Sequence, residues 1–113
     1  MKIVKKLITL NELNKLAQQG FGNLVKAVVD VEKEIMAIDG ELHADEEALL
    51  LEKGSRQENL WGINLYPDLK DADFIEFDSM INLRPSAKNM TRGINDPKIR
   101  KRIIKIVSKL MKK

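Results

Sequence analysis

Between Val25 and Val31 the chain alternates with a period of two: Val25, Ala27, Val29 and Val31 are separated by Lys26, Val28 and Asp30. That period puts one set of side chains on a single face of an extended strand, whereas a helix would scatter them around its axis. β-Branched valines reinforce the preference. Near the other end Ile99, Ile103, Ile104, Ile106, Val107, Leu110 and Met111 recur at spacings of three and four, a wide helical stripe. So wide a stripe has to lie on a sheet or on a partner, and the two patterns together predict a sheet backed by a helix.

Local punctuation places the remaining elements. Thr9-Leu10-Asn11-Glu12 is a capping box that starts a helix, Ile8 and Leu13 stand where a hydrophobic staple needs them, and Gly20 suits a left-handed position after Gln19. A first strand is possible before it. Leu24 to Asp39 reads as a hairpin reversing at Glu32-Lys33-Glu34, its first strand half-buried and its turn lacking an Asn-Gly or Asp-Gly pair. Ala44 to Lys53 reads as a short helix with acids in its first turn and Gly54 closing it. Asn59 to Tyr66 and Asp73 to Leu83 are predicted as a second strand pair joined by Pro67 to Ala72. Trp61 and Tyr66 read as core, and Gly62 as a bulge or a close backbone approach. Pro85 to Gly93 has the composition of an ordinary loop, after which Asp96-Pro97 supplies an N-cap and a proline at the first helical position.

The expected architecture is α+β: a small antiparallel or mixed sheet built from two hairpins, with three helices largely on one face, the last being the amphipathic C-terminal helix. A parallel α/β sheet, the alternative, needs strand and helix to alternate strictly, and two adjacent strand pairs do not. A chain of 113 residues without repeats or linkers is expected to form a single globular domain spanning residues 1–113. No apolar run approaches the ~20 residues that cross a bilayer, and the lysine-containing start lacks the apolar core of a secretory signal. A cytoplasmic protein without a membrane partner is therefore expected. The absence of cysteine removes disulfides, thiolate metal sites and cysteine nucleophiles.

Charge is unevenly spread. Asp30 to Asp78 holds 15 acidic and 4 basic residues, whereas Asp96 to Lys113 holds 8 basic and 1 acidic. Such a two-ended chain can pair its basic tail with its own acidic middle or with another copy, so a homo-oligomer or a protein partner is among the expectations.

Three clusters can carry chemistry. Around the only histidine, His43, Asp45 and Glu46, with Glu41 nearby, can ligate a divalent metal, although acids in a first helical turn also serve the helix dipole. Glu76, Asp78 and Asn82, with Asn64 from a neighbouring strand, can offer oxygens to Mg²⁺ or Ca²⁺ or simply face solvent. Arg84, Lys88 and Arg92 in a loop before a helix can hold phosphate or nucleic acid. Aromatics are only 4% of the chain, which leaves no stacking platform and disfavours the nucleic-acid reading. Phosphate loops, nucleophile elbows and paired-histidine zinc motifs are absent, and no cofactor is identified beyond the candidate divalent metal.

The strings Glu41-Leu42-His43-Ala44-Asp45-Glu46-Glu47, Gly54-Ser55-Arg56-Gln57-Glu58-Asn59-Leu60-Trp61-Gly62 and Ile81-Asn82-Leu83-Arg84-Pro85 resemble those of a small prokaryotic family known as a domain of unknown function. The resemblance covers nearly the whole chain, implies a cytoplasmic prokaryotic origin and transfers no catalytic residue. The leading expectation is a non-catalytic binding or assembly module acting through the terminal helix. A metal-assisted hydrolase centred on His43, Asp45 and Glu46, and a nucleic-acid or phosphate binder using Arg84, Arg92 and the basic terminal helix, stand as alternatives.

Overall fold

The computed structural model describes residues 1–112. Its centre is the strand read from the valine alternation, β3 (Val25–Asp30), which pairs antiparallel with β4 (Ile35–Ile38) on one side and with β5 (Leu60–Leu65) on the other. β1 (Lys2–Val4) extends the sheet beyond β4, and β6 (Ile75–Glu76) extends it beyond β5, giving the order β1-β4-β3-β5-β6 with every pairing antiparallel. The architecture is α+β, with helices α1 (Leu10–Gln19), α2 (His43–Glu52) and α3 (Pro97–Leu110). A parallel pair, β2 (Ile8–Thr9) with β7 (Met111–Lys112), joins the start of α1 to the end of α3.

The sheet is covered on both faces. Val25, Ala27, Val29, Met36, Ile38, Trp61 and Ile63 pack with Leu13 and Ala17 of α1 and with Ile103, Ile106, Val107 and Leu110 of α3. On the reverse face Val28, Ala37 and Leu60 meet Leu50 of α2. Two of the three helices thus share a face, and α2 takes the other. The first strand of the hairpin is not half-buried as the alternation implied, because α2 covers the face that holds Val28 and Asp30, both essentially inaccessible.

The hairpin turn lacks an Asn-Gly pair because Asp30 does the turning. Its Oδ1 accepts from Glu32 N and Lys33 N at 2.9 Å each, its Oδ2 accepts from Ser55 Oγ at 2.6 Å, and Glu34 takes the left-handed backbone position. α3 docks on this turn through Arg102 Nε donating to the Val31 carbonyl at 2.6 Å and Lys109 pairing with Glu34 at 3.0 Å. Part of the basic tail therefore meets the acidic middle within the chain.

Both outer helices start as expected. Thr9 Oγ1 accepts from Glu12 N at 3.0 Å, and Asp96 Oδ1 accepts from Lys98 N at 2.8 Å with Pro97 at the first position. α1 closes differently: Gly20 has φ −104°, and the left-handed residue is Gly22, whose N–H donates to the Ala17 carbonyl at 2.6 Å.

The predicted strand Asp73 to Leu83 survives only as β6. After Glu76 the chain leaves the ladder, Ser79 N donates to the Arg92 carbonyl at 2.9 Å, and Met80–Asn82 form one 3-10 turn. The cause is Gly62: a Cβ there would lie 2.5 Å from Ser79 Cβ, so the missing side chain is what lets the 79–82 segment cross β5. Asn82 then replaces a strand neighbour, its Oδ1 accepting from Gly62 N at 2.8 Å and its Nδ2 donating to the Gly62 carbonyl at 2.9 Å. No helix among the described residues is long and apolar enough to cross a membrane.

Candidate functional site

α2 begins at His43, one residue before the expected start, and no side chain caps it. On a helix, residues three apart share a face, so His43 and Glu46 both turn inward while Asp45 stays exposed. His43 Nε2 lies 2.8 Å from the Ile63 carbonyl oxygen and must donate to it, which leaves the lone pair on Nδ1. Burial outweighs that bond and holds the ring below its ordinary pKa, so the imidazole is neutral at pH 7. Glu46 is fully enclosed, with Oε2 accepting from Gly40 N at 2.9 Å and Oε1 unpartnered. Burial pushes its carboxyl up to about 9, against the opposing pull of the Gly40 N–H, so it is a neutral acid at pH 7. A Cβ on Gly40 would lie 2.7 Å from Glu46 Cγ, which is why the connection into α2 carries glycine there. The three metal candidates thus point to a carbonyl, to solvent and to a backbone amide. Among the described residues no three histidine or carboxylate side chains converge as a metal-binding set.

The second cluster does assemble in part. Lys26, Asn64 and Glu76 stand in register across β3, β5 and β6, on the face covered by α2. Asn64 Nδ2 donates to Glu76 Oε1 at 2.8 Å and to the Asp78 carbonyl at 3.3 Å, and Tyr66 OH donates to the same Glu76 oxygen at 2.9 Å. Asp78 Oδ1 accepts from Arg92 Nε at 2.7 Å. Asn64 is buried and its Oδ1 has no partner. Lys26, Asp78 and Arg92 are close enough for their charges to act on His43. Asn82 does not join this row, since both ends of its amide are taken up by Gly62 and by the Arg92 carbonyl. Lys26 and Tyr66 were not among the sequence candidates; only the strand register brings Lys26 beside Asn64.

The phosphate candidates part company. Arg84 folds inward, its guanidinium 4.5 Å from the centre of the Trp61 ring and its Nη2 donating to the Leu60 carbonyl at 2.6 Å. Burial lowers its pKa. Arg92 is paired with Asp78, and Lys88 is exposed in the left-handed conformation. The loop that holds them is far from ordinary. Buried Asn89 donates through Nδ2 to the carbonyls of Asn82 at 2.7 Å and Gly93 at 2.8 Å, while its Oδ1 accepts from Asn95 N at 2.8 Å.

A large concavity lies on the face that carries α3. A groove of about 890 Å³ is lined by Phe74, Phe77 and Val107, with Leu69 of the β5–β6 connection 46% exposed and Ile104 of α3 45% exposed. The loop side contributes Asp68, Lys70 and Asp71. On the helix, Lys101 and Lys105 flank Ile104 and Ser108 toward solvent, and neither has an ion pair among the described residues.

The chain matches, over residues 2–110, the family described as Protein of unknown function (DUF5674). No curated protein and no solved structure matches it.

Proposed function

We propose that the chain, which belongs to that family of unknown function and inherits no activity from it, is a non-catalytic assembly module that pairs with a second copy of itself through the groove beside α3. One observation carries this reading. The groove has an apolar lining with partly exposed Leu69 and Ile104, a loop of net negative charge with Asp68 and Asp71 on one side, and beside it on α3 the exposed Lys101 and Lys105, which have no ion pair among the described residues. A two-fold interface requires a patch that is complementary to itself, and opposite charges on the two sides of an apolar strip meet that requirement. Rotation of one copy onto the other would set Lys101 and Lys105 against the β5–β6 connection, whose Asp68 and Asp73 are both exposed, and seal Leu69 and Ile104 from water. Burying each of those two side chains contributes about 1–2 kcal/mol, while the exposed charge pairs contribute orientation more than affinity. The metal and phosphate readings draw no comparable support, since their candidate residues point to separate partners.

Sedimentation equilibrium over a wide concentration range tests it. The wild-type chain should dimerise, more tightly at low salt. Lys101→Glu/Lys105→Glu and Asp68→Lys/Asp73→Lys should each be monomeric alone yet pair when mixed; Asp71 is left unchanged because its backbone is left-handed. A wild-type chain that stays monomeric throughout, or charge-reversed variants that associate as the wild type does, would overturn the proposal.

A further inference from the structure

A second hollow, of about 420 Å³, opens where the end of α1 and the segment Phe21–Lys26 meet the β4–α2 connection. Its size falls within the range of small-molecule sites, roughly 300–1,000 Å³. Leu16, Leu24, Leu42 and Phe21 supply hydrocarbon to the lining, and Phe21 and Leu42 are 51% and 56% exposed. Two large apolar side chains bared at one rim are a feature that a ligand would explain.

The electrostatics select the sign of that ligand. Asp39 and Glu41 lie in the lining, both exposed and neither ion-paired among the described residues. Asp39 is held at φ +68°, a conformation that aspartate and asparagine tolerate better than other side chains with a Cβ, and the buried Glu46–Gly40 hydrogen bond fixes the residue after it. The adjoining end of α1 carries the negative pole of the helix and has no basic residue in its last turn. Lys26 is the one cation in the lining, and its Nζ rests 5.0 Å from the centre of the Phe21 ring, so that ring already receives an ammonium group.

We propose that this hollow binds a small alkylammonium ion, with the charged head between the Asp39 and Glu41 carboxylates and the hydrocarbon against Leu16, Leu24, Leu42 and Phe21. A simple anion is disfavoured because it would meet two carboxylates against the single ammonium of Lys26, which rests over the Phe21 ring. The site is separate from the α3 groove and does not depend on self-association.

Three five-carbon probes with different heads test the inference: pentylamine, pentanol and pentanoate, titrated into the full chain while backbone amide NMR shifts are followed. Pentylamine should move the Phe21, Gly22 and Gly40 amides saturably, pentanol should do so more weakly, and pentanoate should leave them in place. Asp39→Asn, which suits the same backbone conformation, should weaken pentylamine about fivefold, the worth of one exposed charge pair. Phe21→Ala should weaken it as well. Equal shifts from pentylamine and pentanol, any saturable shift from pentanoate, or no response to pentylamine would overturn the proposal.

Discussion

Replacing Glu46 by glutamine should stabilise this protein, increasingly so as the pH rises. The carboxyl is enclosed, titrates at about 9 in the fold and ordinarily at 4.5, so between those values the unfolded chain releases a proton that the folded chain keeps. Stability attached to this group is complete below pH 4.5, declines with rising pH and is exhausted once the folded carboxyl ionises near 9. At 1.36 kcal/mol per pH unit the deficit is under about 1 kcal/mol near pH 5, about 3 kcal/mol at about pH 7 and about 5 kcal/mol near pH 8.5. Glutamine cannot ionise, its carbonyl oxygen can still accept from Gly40 N, and its amide leaves one unpartnered group where Oε1 now stands. Urea unfolding of wild type and Glu46→Gln at those three pH values isolates the term, since every other titration is common to both chains. The difference should grow from almost nothing to several kcal/mol. Two parallel pH profiles, or a variant less stable than wild type at the alkaline end, would refute the assignment of a neutral buried acid.

Three further outcomes follow from the same geometry. Asn82→Ala removes both bonds to Gly62 and leaves a buried amide without a partner, so unfolding free energy should fall by about 2–4 kcal/mol with Gly62 losing hydrogen-exchange protection; a change under about 0.5 kcal/mol would contradict this role. Gly62→Ala drives a methyl group into Ser79 and should cost about 1–3 kcal/mol in a denaturant titration, with Ser79→Gly restoring much of the loss. The His43 ring, held below its ordinary 6.5 by burial, contributes stability that is present above that value and lost as pH falls through the folded pKa. His43→Leu should therefore lose stability less steeply than wild type on acidification, and nitrogen-detected NMR at neutral pH should find the proton on Nε2; a proton on Nδ1 would disprove the Ile63 contact.

Elements with a strong period or a local cap were legible in the sequence. The valine alternation, the Thr9 capping box and the Asp96-Pro97 start all rest on forces between residues near in the chain, and they give β3, α1 and α3 close to their actual bounds. The departures arise where a distant residue decides. Nothing within Asp73 to Leu83 says that the strand must stop after Glu76, because the reason lies at Gly62, which admits Ser79. Asn89 looked like one polar residue among many, yet its amide ties three backbone segments together. Similarly, the motif around His43 was visible, but its division into an inward imidazole, an exposed Asp45 and a neutral Glu46 depends on which face α2 turns to the sheet. The apolar groove could not be read at all, since Leu69 and Ile104 approach only after the last helix has docked.

The pairing of Ile8–Thr9 with Met111–Lys112 has a bearing on how the molecule is made. A nascent chain emerges in order, so α1 and both hairpins are free to form while the α3 residues that share a sheet face with α1 are still unsynthesised. Closing so long a loop costs only modestly more free energy than closing a short one, but it must wait until Met111 and Lys112 have been synthesised. Ribosome-bound intermediates halted before Ile103 would hold Val29, Trp61 and Ile63 in a cluster that still lacks Ile103, Ile106, Val107 and Leu110, exposed apolar surface of the kind that makes such intermediates prone to aggregate until α3 arrives.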